Sequence, residues 1–264
     1  VNDLRLLVRA TLHLYRDAAL DASRALVRNA WVIVLLPAFS VLVGLLARVA
    51  GGFGMAGGLL VYLAVAVATS AFLAVLEGAV GKERVQPSEL AEGFGRYLGS
   101  VVGLFFVFWV IQFLLTMITH QNPGLLWLAL AVDGIVFLVC NPLPELVYQG
   151  RREGVALVDD AVQFMRENSV EWLVPLAVML LPFFLASVPM GLVAMTEMGP
   201  TSALGLLTNL LEGLLPESGG VSRWAAPLVA SALLAWGMMF RGFLFKALDR
   251  SGRRQRIFEA RMRD

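Results

Sequence analysis

The sequence predicts an all-α integral membrane protein with six transmembrane helices and amphipathic surface helices on the cytoplasmic side. Its plan is a weak threefold repeat, each unit one surface helix followed by one helical hairpin. Three observations predict it. Hydrophobic residues fill 58% of the 264 positions and charged residues only 16%, which is more apolar surface than one water-soluble core hides. Six runs reach the roughly 20 residues that a hydrocarbon core of about 30 Å requires at about 1.5 Å per helical residue. Of the 21 Lys and Arg, all but Arg48 and Arg223 fall on one side of the spans so drawn.

In chain order, residues 1–29 form an amphipathic arm. Leu4, Val8, Leu12, Tyr15, Ala19, Ala22 and Leu26 recur at helical spacing, with Arg5, Arg9, Arg16, Asp17, Asp21, Arg24 and Arg28 largely off that stripe. Such a helix either lies on the membrane surface, its basic groups among anionic headgroups, or packs on the protein's own cytoplasmic face. The membrane domain follows over residues 30–248, with spans at Ala30–Ala50, Gly58–Val80, Leu98–Thr119, Leu125–Pro144, Trp172–Met195 and Trp224–Phe245. Residues 249–264 make a basic cytoplasmic tail, held to anionic lipid or docked on a soluble partner. The positive-inside bias explains these charges, so no nucleic-acid role is expected. No cleavable signal peptide is expected either, because the first apolar run begins only near Ala30.

Connections on the two sides differ. GGFGMAG at 51–57 and HQNPG at 120–124 read as tight outer turns, and Thr196–Arg223 reads as an outer amphipathic helix through Leu204, Leu207, Leu211 and Leu214. On the inner side, Ser88 is placed to cap a helix with Leu90, Phe94 and Tyr97 on one face, and Gly154–Asn168 makes another. The words ALVRNAWVIVLLP at 25–37 and QFMRENSVEWLVPL at 163–176 lead into their spans alike, which suggests the repeat.

The Asn-Pro-Leu-Pro-Glu-Leu-Val-Tyr word at 141–148, followed by a helix ending Arg-Glu-Asn-Ser, resembles bacterial six-span membrane proteins of unknown function. These include the membrane region attached to some glycerophosphodiester phosphodiesterases. The resemblance spans roughly residues 25–245. It implies the six-span fold and no reaction. The chain is expected in the bacterial inner membrane, and the Lys and Arg bias predicts that both termini are cytoplasmic.

Few residues offer chemistry. There is no H-E-x-x-H, G-x-S-x-G or Walker A word, and His13 and His120 are the only histidines. No cofactor, metal site or catalytic residue is expected. Cys140 is the only cysteine, which forbids an intramolecular disulfide. Two groups of polar residues stand out. Asp133 lies within an apolar run, where an ionised carboxylate costs about 2.5 to 3.5 kcal/mol on insertion scales, and Gln112 is set at matching depth on the neighbouring span. The pair is either a proton- or cation-linked site or a structural hydrogen bond between helices. Glu77, Glu145 and Arg241 end even-numbered spans at the cytoplasmic boundary, where they can clamp helices or line a cavity. Gly54 with Gly58, Gly99 with Gly103, and Ala64 with Ala68 have the spacing of close helix contacts, within the chain or along an oligomer seam. These features fit a non-catalytic scaffold or membrane subunit that recruits a protein partner at its cytoplasmic face or accommodates membrane lipid. A transporter or permease component with a buried acid is the alternative, and a membrane-embedded enzyme the third reading.

Overall fold

The computed structural model describes residues 2–81, 84–150, 153–154, 156–187 and 221–250. Among these, the regular structure is helical throughout. Helix α1 spans Asn2–Arg28, α2 Val32–Ala50, α3 Gly54–Gly81, α4 Glu89–Arg96 and α5 Leu98–Gln121. Then come α6 (Leu126–Cys140), α7 (Leu143–Gln149), α8 (Ala156–Ser187) and a last helix, α9 (Val221–Arg250). Four stretches, Val32–Gly81, Leu98–Gln121, Pro123–Gln149 and Ala225–Asp249, are long and apolar enough to cross a membrane, which marks the chain as a membrane protein.

The first of these stretches is a hairpin. The chain reverses through the 3-10 turn Gly51–Phe53 and Gly54, whose φ of +57° is open to glycine at little cost, and α2 then packs along α3. A side chain at Gly57 would collide with the Ala50 carbonyl, so the close return also depends on glycine. The second tight turn expected on that side is the 3-10 turn Pro123–Leu125 between α5 and α6.

Burial is concentrated at the opposite end, where α1, α4 and α7 lie. Leu76, Leu157, Met239 and Leu244 are fully enclosed there, with Ala18, Ala22 and Ala25 of α1 in the same cluster. In contrast, α5 buries only Val101 and α6 only Ala129. The amino-terminal helix is thus packed on its own protein, chiefly along α9, and Trp236 of α9 donates to Ser23 (3.0 Å). Its buried face is a ridge of alanines; Val8 and Leu12 of the expected apolar stripe stand exposed.

Junctions between surface helices and spans are held by side chains bonded to main chain. Asn29, fully buried, donates to the Ala25 carbonyl (2.9 Å) and accepts the Val85 N–H (2.9 Å), while the Trp31 indole donates to the Val85 carbonyl (3.2 Å). Ser70 donates to the Gly93 carbonyl and accepts the Tyr97 N–H, both at 3.1 Å. Tyr97 (φ −112°, ψ 7°) and Asn168 (φ −127°, ψ 15°) break the helix in nearly the same way, and α8 runs on through the kink at Asn168. Ser88 occupies the N-cap position of α4 but makes no capping bond, because its own backbone is helical. The Glu89 carboxylate accepts the Gln86 N–H instead (3.4 Å). The outer helix expected in Thr196–Arg223 lies outside the described residues as far as position 220, as do Arg151, Arg152 and the tail from Ser251.

Candidate functional site

The Asn141-Pro142 turn ends α6 and leads through a kink into the short helix α7, which packs against α3, α8 and α9. Pro142 and Pro144 suit that start, since the first turn of a helix has no intrahelical acceptor for its N–H groups. The turn carries Glu145 into a fully buried position. There Arg241 of α9 grips it through two parallel bonds, Nε to Oε1 at 2.8 Å and Nη2 to Oε2 at 2.9 Å. Nη2 also donates to the Asn141 carbonyl (2.7 Å), and the guanidinium carbon lies 5.0 Å from the centre of the Trp172 ring. Trp172 in turn donates its indole N–H to the Asn141 Oδ1 (2.8 Å). Four segments, the α6–α7 turn, α7, α8 and α9, therefore meet at one guanidinium.

Such a pair is geometrically demanding. Removing two charges from water is costly, and their attraction offsets that cost only with good geometry and with the remaining hydrogen-bond capacity satisfied. The fork-to-carboxylate match and the third bond to Asn141 supply both conditions. Chemically this is a fastener. All three described Arg241 bonds end on groups of the same chain, and both carboxylate oxygens of Glu145 are engaged.

Glu77, expected beside this pair, goes elsewhere. Its Oε2 accepts from the Arg96 Nη1 at 2.5 Å, joining the end of α3 to the end of α4. That pair is open to solvent, with 50% and 39% of the two side chains exposed, so it contributes at most about 1 kcal/mol. The hydrogen bond to Glu77 raises the Arg96 pKa. Burial, then hydrogen bonding to Glu77, holds the Tyr97 hydroxyl well above its ordinary range.

The second sequence-marked group meets as a pair. Gln112 Nε2 donates to Asp133 Oδ1 at 2.6 Å, near the middle of α5 and of α6, but the acid expected to be buried is not: Gln112 is exposed and Asp133 half-buried, because the two helices pack on little besides each other. The bond ties the two helices of a hairpin whose outer surface is apolar and exposed, with Phe106, Trp109 and Phe113 stacked along one side of α5. His13 and His120 lie on different helices, and among the described residues no group of three or more His, Cys, Asp or Glu is placed to hold a metal ion.

Sequence reasoning missed the fastening residues themselves: Asn29, Trp31, Ser70, Asn141 and Trp172. A signal existed in the Asn and Trp shared by ALVRNAW and RENSVEW. In the structure Asn29 and Asn168 both bond back to the carbonyl four residues earlier, at 2.9 and 3.4 Å. Comparison with family models, characterised proteins and solved structures finds no match to this chain.

Proposed function

We propose that the chain is a six-span frame of the bacterial inner membrane, acting as a non-catalytic scaffold or membrane subunit. The observation that carries this reading is the use of its buried polar groups. Arg241, Glu145, Asn29, Ser70 and Trp172 are committed to neighbouring segments of the same chain, and what they do there is fix helix ends to one another.

Further support comes from lengths and junctions. An unbroken helix over Val32–Gly81 would be about 75 Å long, more than twice the hydrocarbon thickness, so a hairpin there favours two crossings. With α5, α6, the outer half of α8 and α9, the count becomes six. The like backbone breaks at Tyr97 and Asn168 favour the threefold plan. The excess of Lys and Arg on the junction side favours a cytoplasmic location for that end and for both termini. On that side Asp159, Gln163, Arg166 and Glu167 stand along α8 as a polar surface suited to a soluble protein partner.

A second reading, a transporter or permease component, is favoured by the Gln112–Asp133 bond inside an apolar hairpin. Two measurements separate the readings: cross-linking in native membranes with identification of the adducts, and ion flux in vesicles containing the purified chain. The frame predicts discrete protein adducts through α4 and α8 and no flux. A proton or cation flux abolished by Asp133→Asn would overturn it.

A further inference from the structure

We infer that α1 has two working faces, and that the one turned away from the protein seats on an anionic phospholipid leaflet. The inward face is the alanine ridge Ala18, Ala22 and Ala25, enclosed in the core. At about 100° per residue, Val8, Leu12, Leu20 and Val27 fall within an arc of about 120° on another side of the helix. All four are exposed, Leu12 at 60% and Val27 at 79%. Arg9 and Arg16 lie within the same arc, whereas Asp17 and Asp21 lie outside it, at about 180° and 220° from Val8.

That division selects the occupant. Aliphatic side chains interleaved with arginines, and free of acids, match the boundary between acyl chains and anionic headgroups, where Arg can bury its stem and keep its guanidinium among phosphates. Position agrees. Val27 stands just before the Asn29–Trp31 junction that opens α2, and the exposed Val34 and Val41 continue an apolar surface along that apolar helix. These exposed valines of α2 are suited to acyl chains in a membrane-spanning placement, and they begin seven residues after Val27. Packing on α9 enters this arc at Ser23, about 60° from Val8, which accepts from Trp236 (3.0 Å); the seat on lipid is carried by Val8, Leu12 and Leu20 before it and by Val27 beyond it. This inference goes beyond the frame reading and stands whether or not a protein partner binds.

The test uses the full chain with nitroxide labels at Leu12→Cys, Leu20→Cys and Asp17→Cys in a Cys140→Ser background. The labelled proteins are reconstituted in vesicles of phosphatidylglycerol with phosphatidylcholine, and in phosphatidylcholine alone. All label sites are exposed, so melting in detergent should match the Cys140→Ser parent. In anionic vesicles, oxygen collisions should exceed nickel-chelate collisions severalfold at positions 12 and 20, with the reverse at 17. Phosphatidylcholine alone, or Arg9→Gln with Arg16→Gln, should shift positions 12 and 20 toward water, each arginine being worth about fivefold in partitioning. Labels at 12 and 20 that behave like 17 would overturn the inference. So would shielding from both reagents, which means cover by protein, or indifference to lipid charge.

Discussion

Replacing Arg241 by Met leaves the Glu145 carboxylate in a fully enclosed site without either of its charged bonds. Breaking a buried ion pair from one side costs about 3 to 5 kcal/mol, because the remaining charge keeps its desolvation penalty. Loss of the bond to Asn141 and of the stack on Trp172 places Arg241→Met at the upper end of that range. Glu145→Leu should cost less, since the Arg241 side chain retains 15% exposure through which the guanidinium can reach toward water. The double variant Glu145→Leu/Arg241→Met removes both charges at similar volume. It should lose only about 1 to 3 kcal/mol, for the Asn141 carbonyl left without its donor. Thermal unfolding in detergent measures all four proteins. At about 2 to 4 °C per kcal/mol, Arg241→Met should melt roughly 10 °C or more below wild type, with the double variant recovering much of that loss. Additive losses, with the double variant as unstable as the two singles together, would refute the pair as a mutual fastener.

Other substitutions probe the remaining contacts. In Gly242→Ala, a Cβ would lie 2.5 Å from the Tyr148 hydroxyl and 2.8 Å from a Val80 methyl, so the variant should lose about 1 to 3 kcal/mol, part of it restored by Tyr148→Phe. Unchanged melting of Gly242→Ala would reject that packing. Asn29→Ala strands the Val85 N–H and should cost about 1 to 3 kcal/mol, seen as earlier hydrogen exchange at the α1–α2 junction. The double-mutant cycle of Asp133→Leu and Gln112→Leu should show a coupling of about 0.6 to 1.7 kcal/mol; additivity would dissolve the pair. The raised Tyr97 pKa means that the unfolded chain ionises first, near the ordinary value of 10. Wild-type stability relative to Tyr97→Phe should therefore hold below pH 10 and fall as pH climbs beyond it, and a rise there would contradict the assignment.

Apolar length and glycine-rich turns were readable from the sequence because they answer to one variable, the match of helix length to bilayer. Hairpin α2–α3 and the Pro123–Leu125 turn follow from that alone. The bond between Gln112 and Asp133 was readable as well, since depth counted from a shared turn places two antiparallel residues side by side. Depth alone did not identify the partner of Glu77. Arg96, on the short surface helix α4, competes for it, and the route of α4 depends on Ser70 bonding Gly93 and Tyr97 across 23 and 27 residues. Periodicity identified the buried face of α1 in part: Ala22 is enclosed and Tyr15, Ala19 and Leu26 pack against the core, whereas Ala18 and Ala25 lie off the stripe. The alanines that meet α9 are small enough for close approach, so they are buried in preference to Val8 and Leu12.

Cysteine accessibility decides whether the junction end of the frame lies on the cytoplasmic side. Cysteines placed singly at Ser88, Ser169 or Ser218 in a Cys140→Ser background can be probed in intact cells with a membrane-impermeant thiol reagent. Ser88 is exposed at the start of α4 and Ser169 follows the Asn168 kink; both cysteines should stay unlabelled until the membrane is opened. The cysteine at Ser218, in the connection that the sequence predicts on the other side, should react at once. Immediate labelling at 88 and 169 with protection at 218 would contradict the orientation, and labelling at only one of the first two would contradict a shared junction end.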